Sequence, residues 1–294
     1  SNYAPHTAQA LQSLIEEALP AGWARVVLGG RQENEALLDC RIDDIFFTGG
    51  RTVGRLVMEK AAQHLTPVSL ELGGKSPCVV DETANIPLAA KRIVFGKLIN
   101  CGQTCVAPDY IYCAESVREE FIGELVRQIH LQYGERPLEN PNYGKIVNQK
   151  HFDRVCRLLN PEKTVIGGEV RPETLQIAPT VLRDVTWEDP VMQEEIFGPI
   201  FPVLTFRTLE EIVPIIRGKD TPLAMYHFSS DGEKVRWFRE QIPFGGGCVN
   251  DTLIHLATSE MGFGGMGESG MGSYHGRRGF DTFTHEISLV DTKT

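Results

Sequence analysis

The sequence predicts an α/β fold built on a parallel sheet. Short apolar runs alternate with segments of helical period, the signature of parallel βαβ units. A Gly49-Gly50 pair stands between one such run and the helical segment after it. The composition, 41% hydrophobic and 23% charged, is that of a globular protein, and 294 residues are long for one core, so two intertwined domains are expected.

The elements follow in order. Residues 10, 11, 14, 15 and 18 are apolar, which predicts a helix over 7–19 that Pro20 and Gly22 end. A short strand is expected over 25–28, a helix over 33–40 and a strand over 44–48. After the Gly-Gly turn a helix is expected over 51–64, then strands over 68–72 and 78–80. Helical spacing returns over 86–99, and the loop 101–108 leads into a strand over 110–113, with Pro108 biasing Ala107 to extended backbone. Helices are expected over 117–130, 149–159, 209–217 and 232–241, and strands over 164–166, 200–205 and 224–228. Glycine concentrates between 245 and 279, which predicts tight loops near a site.

A net charge of −10 without a Lys/Arg cluster argues against a nucleic-acid partner and for small molecules. No apolar run reaches the roughly 18 residues of a membrane span, and the start lacks a basic-then-apolar leader, so a cytoplasmic location is expected. Seven scattered cysteines, an odd number, do not form a secreted disulfide framework. No His/Cys/Asp/Glu cluster has metal-ligand spacing, so no metal is expected.

The chemistry-bearing stretch is Asn100-Cys101-Gly102-Gln103-Thr104-Cys105-Val106-Ala107-Pro108, preceded by Leu70-Glu71-Leu72-Gly73-Gly74-Lys75-Ser76-Pro77, with Cys105 lying 34 positions after Glu71. A thiol on a small-residue loop can attack a carbonyl, leaving a carbon that bears both an alkoxide and a hydrogen. A partly buried carboxylate can then activate water against the thioester. Cys105 is the candidate nucleophile, Cys101 its local competitor; Glu71 is the candidate base, Glu195 its rival. The plain alternatives are an inert buried cysteine and a solvated strand glutamate. In Phe47-Thr48-Gly49-Gly50-Arg51-Thr52-Val53-Gly54, a strand, glycines and a helix start could present N–H groups to phosphate. Arg55-Leu56 excludes an ATP-binding P-loop, which needs Lys then Ser or Thr. Alone, this turn is as readily a plain strand-to-helix connection.

These segments, with Gln193-Glu194-Glu195-Ile196-Phe197-Gly198-Pro199 and Gly264-Gly265-Met266-Gly267-Glu268-Ser269-Gly270-Met271-Gly272-Ser273-Tyr274-His275-Gly276, resemble the aldehyde dehydrogenases over nearly the whole chain. The likeness is greatest to the class 3 branch, which acts on fatty or aromatic aldehydes. It implies NAD(P)-dependent oxidation of a medium-chain or aromatic aldehyde, with Cys105 as nucleophile and Glu71 as base. It further implies a dinucleotide at Gly49, Gly50, Arg51, Thr52, Val53 and Gly54. Glu195 would hold the nicotinamide ribose and Phe197 would pack near the nicotinamide; a homodimer is implied for the full chain. His275 reads equally as a lining of the aldehyde funnel or as a structural histidine.

Residues 1–72 are accordingly expected to complete a dinucleotide-binding domain whose sheet is incomplete at its N-terminal side. Residues 73–272 are expected to form the catalytic domain and 273–294 a tail returning to an interdomain or subunit sheet. The family carries a further N-terminal region, with an Asn that helps hold the oxyanion and a Lys on the adenosine ribose, that matches nothing here. Asn2 stands where the family often has an acidic ribose contact, which leaves NAD against NADP open. With no initiator Met, a fragment is expected, weakly active or inactive alone. Two rivals remain: a cofactor-independent thiol esterase or acyltransferase, and a non-catalytic structural fragment.

Overall fold

The computed structural model describes residues 3–292. Contacts divide the chain into two compact units: residues up to Ile45 with Arg55–Val68, and Phe46–Gly54 with everything from Ser69 onward.

The first unit contains α1 (Pro5–Ala18), α2 (Arg31–Leu38) and most of α3 (Arg51–Ala62). Proline in the first turn of α1 costs nothing, because that N–H has no helical partner. The Glu33 carboxylate accepts the Gly30 N–H at 2.7 Å and caps α2. Thr66 Oγ1 donates to the Ile42 carbonyl at 2.8 Å, and Lys60 pairs with Asp39 at 2.5 Å. The strand expected over 25–28 is not there. That stretch has no regular structure, and Val27 and Leu28 are exposed. An apolar run becomes a strand only where a neighbouring strand takes its N–H and C=O groups.

The second unit carries the strands β1 (Ile45–Thr48), β2 (Val68–Glu71), β3 (Pro77–Val80), β4 (Tyr110–Ala114), β5 (Thr164–Ile166), β6 (Val170–Arg171), β7 (Gln176–Ile177), β8 (Thr180–Leu182), β9 (Ile200–Phe206), β10 (Ala224–Phe228), β11 (Gly246–Val249) and β12 (Gly270–Met271). Its helices are α4 (Ile86–Leu98), α5 (Arg118–Tyr133), α6 (Gln149–Cys156), α7 (Pro190–Gln193), α8 (Leu209–Arg217), α9 (Gly232–Gln241) and α10 (Gly276–Thr282). The central sheet runs β11-β10-β3-β4-β9-β8-β5, parallel throughout except for antiparallel β5 at one edge. A smaller sheet runs β1-β2-β12, with β12 antiparallel to β2, and β6-β7 is a separate hairpin. The fold is therefore α/β with a mostly parallel central sheet.

Strand alternation distributes the core over both faces of that sheet. Cys78, Val80, Ile111 and Cys113 pack with Ile93 of α4 and Phe121 and Leu125 of α5. Val79, Tyr110 and Tyr112 face Phe152, Ile212 and Phe238 of α6, α8 and α9. Burial on both sides explains why β3 and β4 read as unbroken apolar runs. Each fully buried Ile or Phe contributes roughly 1.5–3 kcal/mol. Asn85 caps α4 by accepting the Leu88 N–H at 3.1 Å, and Pro87 follows in its first turn. That helix delivers the chain into the loop that carries Cys105. After α10 the chain continues to 292 without regular structure. No helix among the described residues is long and apolar enough to cross a membrane.

Candidate active site

Cys105 sits half-buried between α4 and β4 in a loop tied at several points. Gln103 Nε2 donates to the Lys145 carbonyl at 3.0 Å and Oε1 accepts the Val147 N–H at 2.9 Å. Ala107 N–H closes a turn on the Thr104 carbonyl at 2.9 Å, and the Tyr226 hydroxyl donates to the Val106 carbonyl at 2.6 Å. Gly102 has φ +77°, and a Cβ there would lie 2.1 Å from the Gly198 carbonyl oxygen, so only glycine lets the loop approach this closely.

Glu71 ends β2 and is 4% exposed. It lies opposite Gly270 in the ladder with β12, and its carboxylate accepts the Gly265 N–H, so the glycine-rich segment forms its cover. Burial pushes its carboxyl up to about 7. Cys105 is pushed up to about 11, first by burial and then by the charges of Glu71 and Glu195, against the N–H groups of Cys105 and Val106. The charges of both carboxyls thus act on the thiol although the three residues are far apart in sequence.

Glu195 is likewise raised to about 7 by burial and by Asp109, while the Gly74 N–H and the charges of Arg51 and Lys75 pull it down. A Cβ on Gly73 would meet Glu195 Oε2 at 2.0 Å, so the Gly73-Gly74 pair is the bed on which this carboxylate lies. A clamp holds its loop. Lys75 Nζ bonds Asp109 Oδ2 and donates to the carbonyls of Val191 at 3.1 Å and Glu194 at 2.8 Å. Asp109 Oδ1 accepts the Ile196 N–H at 2.8 Å, and Arg154 donates to the carbonyls of Glu195 and Ile196 at 3.0 and 2.7 Å. Lys97, on α4, is 1% exposed, and its Nζ has no hydrogen-bond partner. Burial brings it down to about 8, with the Asp109 charge opposing.

Arg51, Thr52, Gly73, Gly74, Lys75 and Glu195 line a cavity of about 630 Å³. The other expected cofactor residues do not line it. Gly49 packs on the Phe47 ring and Gly54 on Leu72, Gly50 faces open space, and Val53 is half exposed. Phe197 stands at φ +45° in the clamped loop. Tyr274 is pushed up to about 12 by burial and by the charges of Glu71 and Cys105. Phe263 stacks on His275 with centroids 5.4 Å apart, and Tyr274 meets Phe46 edge-on at 4.7 Å. Among the described residues no group of three His, Cys, Asp or Glu is placed to hold a metal ion. Asn2 lies outside the described residues.

Sequence reasoning missed Lys75, Asp109, Arg154 and Lys97. Lys75 and Asp109 each adjoin a motif, after Gly73-Gly74 and after Pro108, where an ionisable residue beside a predicted buried strand signals a required partner. Arg154 and Lys97 lie within helices and carried no such signal.

The sequence pattern of the aldehyde dehydrogenase family matches residues 1–288. The chain belongs to this family. Among aldehyde dehydrogenases, it is 46% identical to 4,4'-diaponeurosporen-aldehyde dehydrogenase of Staphylococcus aureus, over 100% of this chain and 64% of that protein. It is 46% identical to aldehyde dehydrogenase family 3 member B1 of Bos taurus, over 99% of this chain and 62% of that one. The solved substrate-bound state of Staphylococcus aureus AldH superposes with a TM-score of 0.96 at 45% identity, covering 100% of this chain and 65% of that one. The chain therefore spans less than two thirds of the length of these aldehyde dehydrogenases.

Proposed function

We propose that the protein oxidises an aldehyde to a carboxylic acid, with NAD or NADP as cofactor and an apolar medium-chain or aromatic aldehyde as substrate. What supports this reading is the half-buried Cys105 thiol on its tied loop together with the Glu71 carboxyl on the glycine-rich cover and the Glu195 carboxyl on the Gly73-Gly74 bed, both of whose charges act on that thiol. The cavity residues fit a nicotinamide dinucleotide. Arg51 offers a cation for phosphate, and the half-buried Glu195 carboxyl offers an acceptor for ribose hydroxyls. When bound, the dinucleotide supplies the hydride acceptor. Gly49, Gly50, Val53 and Gly54 would shape the turn and Phe197 would pack near the nicotinamide.

The Cys105 thiol gives its proton to Glu71, which passes it to solvent, as the C–S bond to the carbonyl carbon forms; the hydrogen on that carbon would then leave as hydride to the acceptor a bound dinucleotide supplies, and a thioester would remain. Glu71 takes a proton from water as that water attacks the resulting thioester, and the C–S bond breaks to release the acid. A carboxyl near 7 suits this, because it is ionised in part at neutral pH and still basic enough to accept a proton. Phe46, Phe263, Tyr274 and His275 form an aromatic cluster that would favour an apolar aldehyde. In this reading residues 1–72 contribute the dinucleotide side, 73–272 the catalytic side and the tail a subunit contact in a cytoplasmic homodimer.

The test mixes the protein with NAD or NADP and hexanal or benzaldehyde and follows reduced nicotinamide absorbance. Cys105→Ser is expected to lower turnover by about a thousand-fold or more. Glu71→Gln is expected to give one burst and then stall at the acyl-enzyme. Full steady turnover in Glu71→Gln, or cofactor-free ester hydrolysis without aldehyde oxidation, overturns the reading.

A further inference from the structure

The rim of the cavity carries an ion pair that the oxidation chemistry does not use. Arg51 Nη1 donates to Asp220 Oδ2, 169 residues further along, in the segment between α8 and β10. Both residues line the cavity, together with Gly74 and Glu195. The three cations of the lining differ in how they are held. Lys75 is bound to the 4%-exposed Asp109 side chain and to two carbonyls. Lys219 lies over the Trp187 ring, 4.4 Å from its centroid. Arg51 alone among them is paired with a carboxylate that is mostly in water: the Asp220 side chain is 56% exposed and that of Arg51 30%.

Resting on the dinucleotide reading above, we propose that Asp220 is a positioning residue that competes with the cofactor's diphosphate for Arg51, and so sets how tightly a nicotinamide dinucleotide binds. A solvent-exposed ion pair is weak because water and salt screen it and two long side chains must be held together. A diphosphate brings more charge and a pair of oxygens matched to the guanidinium fork, so it wins the exchange. The pair keeps Arg51 at the cavity mouth, and every molecule of dinucleotide that binds must break it. Asp220 therefore opposes binding while keeping the binding group in place.

Titration calorimetry with NAD and with ADP-ribose, which keeps the diphosphate and lacks the nicotinamide, tests this on the whole protein. Asp220→Asn is expected to tighten both ligands by about three-fold, the scale of an exposed ion pair. Arg51→Gln is expected to weaken both by about ten-fold. Asp220→Asn is expected to add nothing in the Arg51→Gln background, and Asp220→Glu is expected to retain the parent affinity. Glu233→Gln, which removes an exposed carboxylate paired with Arg236 on α9, controls for net charge and is expected to change nothing. Matched melting temperatures confirm that the variants fold. Unchanged or weaker binding in Asp220→Asn overturns the proposal, as does an equal gain in Glu233→Gln or in the Arg51→Gln background. A parent protein that binds neither NAD nor NADP removes the functional reading and the latch together, whereas normal binding indifferent to Asp220 removes the latch alone.

Discussion

The two ends of the seven-stranded sheet bury acidic groups in opposite ways. At the end where strands leave, Asp81 follows β3 and is fully buried. Its Oδ2 meets His227 Nε2 at 3.2 Å, and its Oδ1 accepts the Thr83 N–H and hydroxyl at 2.8 and 2.7 Å. Thr83 Oγ1 reaches Ser229 Oγ at 3.0 Å, and Asn250 holds both backbone groups of Ser229. Burial raises the Asp81 carboxyl, but the bonds from His227, Ser229 and Thr83 outweigh it and take it down to about 2. At the end where strands enter, Glu195 precedes β9 and Cys105 precedes β4, and there acid faces acid or thiol, so burial wins and both rise. A closed set of donors fixes a charge, and an open one leaves a group able to exchange its proton near neutral pH. Open α/β sheets usually take ligands where strands leave. In this sheet that end is the satisfied, structural one.

The sharpest way to break this contrast is to remove one carboxylate from each end. Asp109→Asn strips the charge that faces Lys75 and the buried, unbonded Lys97, and is expected to cost about 3 kcal/mol of stability. Because Asp109 also carries the Ile196 N–H, the Glu195 loop loosens, and dinucleotide affinity is expected to fall about ten-fold. Asp81→Asn is expected to destabilise similarly and to leave affinity unchanged. Denaturant unfolding and calorimetry on the same two variants decide it; an equal loss of affinity in Asp81→Asn would show that the ends are not separable.

A smaller effect, of opposite sign at the two ends of the pH range, sharpens it. Asp81 ionises at lower pH in the folded state than in the unfolded chain, so its stabilisation is present above about 3.8 and is lost as pH falls towards about 2. Glu71 ionises at higher pH when folded, so its contribution is present below about 4.5 and is lost as pH rises through about 7. Melting temperature against pH is therefore expected to flatten on the acid side in Asp81→Asn and on the neutral-to-alkaline side in Glu71→Gln. Turnover should rise with pH through about 7 as Glu71 becomes a base. Parallel curves for parent and both variants would remove the electrostatic basis of the comparison.

The elements of the central sheet were legible because burial on both faces leaves long apolar runs at β3, β4, β9 and β10. The strands β8, β11 and β12 were not, since a three-residue run or a Gly-Gly segment becomes a strand only through the partner it meets, as Gly270 does on Glu71. Cys105 and Glu71 were singled out from residue chemistry and motif, and Arg51 and Thr52, which line the cavity, from the family resemblance of their glycine turn; the roles of all four rest on the proposal above. The clamp around Glu195 was not, because Lys75, Asp109 and Arg154 act mainly through backbone groups of a distant loop, and no spacing records that.

The smallest expected effect separates two cysteines of one loop. Cys101 is 2% exposed and stands at φ +51°, with its sulfur 3.0 Å from where a Cβ on Gly144 would lie. Burial raises it to about 11, opposed by its hydrogen bond with the Tyr143 hydroxyl and by the Gly144 N–H; no carboxylate contributes. Tyr143 in turn donates to the Ile177 carbonyl at 2.7 Å, so Cys101 fills a packed corner. Cys101→Ser is expected to cost about 1 kcal/mol and to leave kcat within about two-fold, because a hydroxyl fills less of the same space and nothing near it reacts. Iodoacetamide, which needs an accessible thiolate, should label position 105 faster than 101, and increasingly so at alkaline pH. Lost turnover in Cys101→Ser with retained turnover in Cys105→Ser would reverse the assignment, because it would put the reacting carbon in the corner beneath Tyr143, out of the field of both carboxylates.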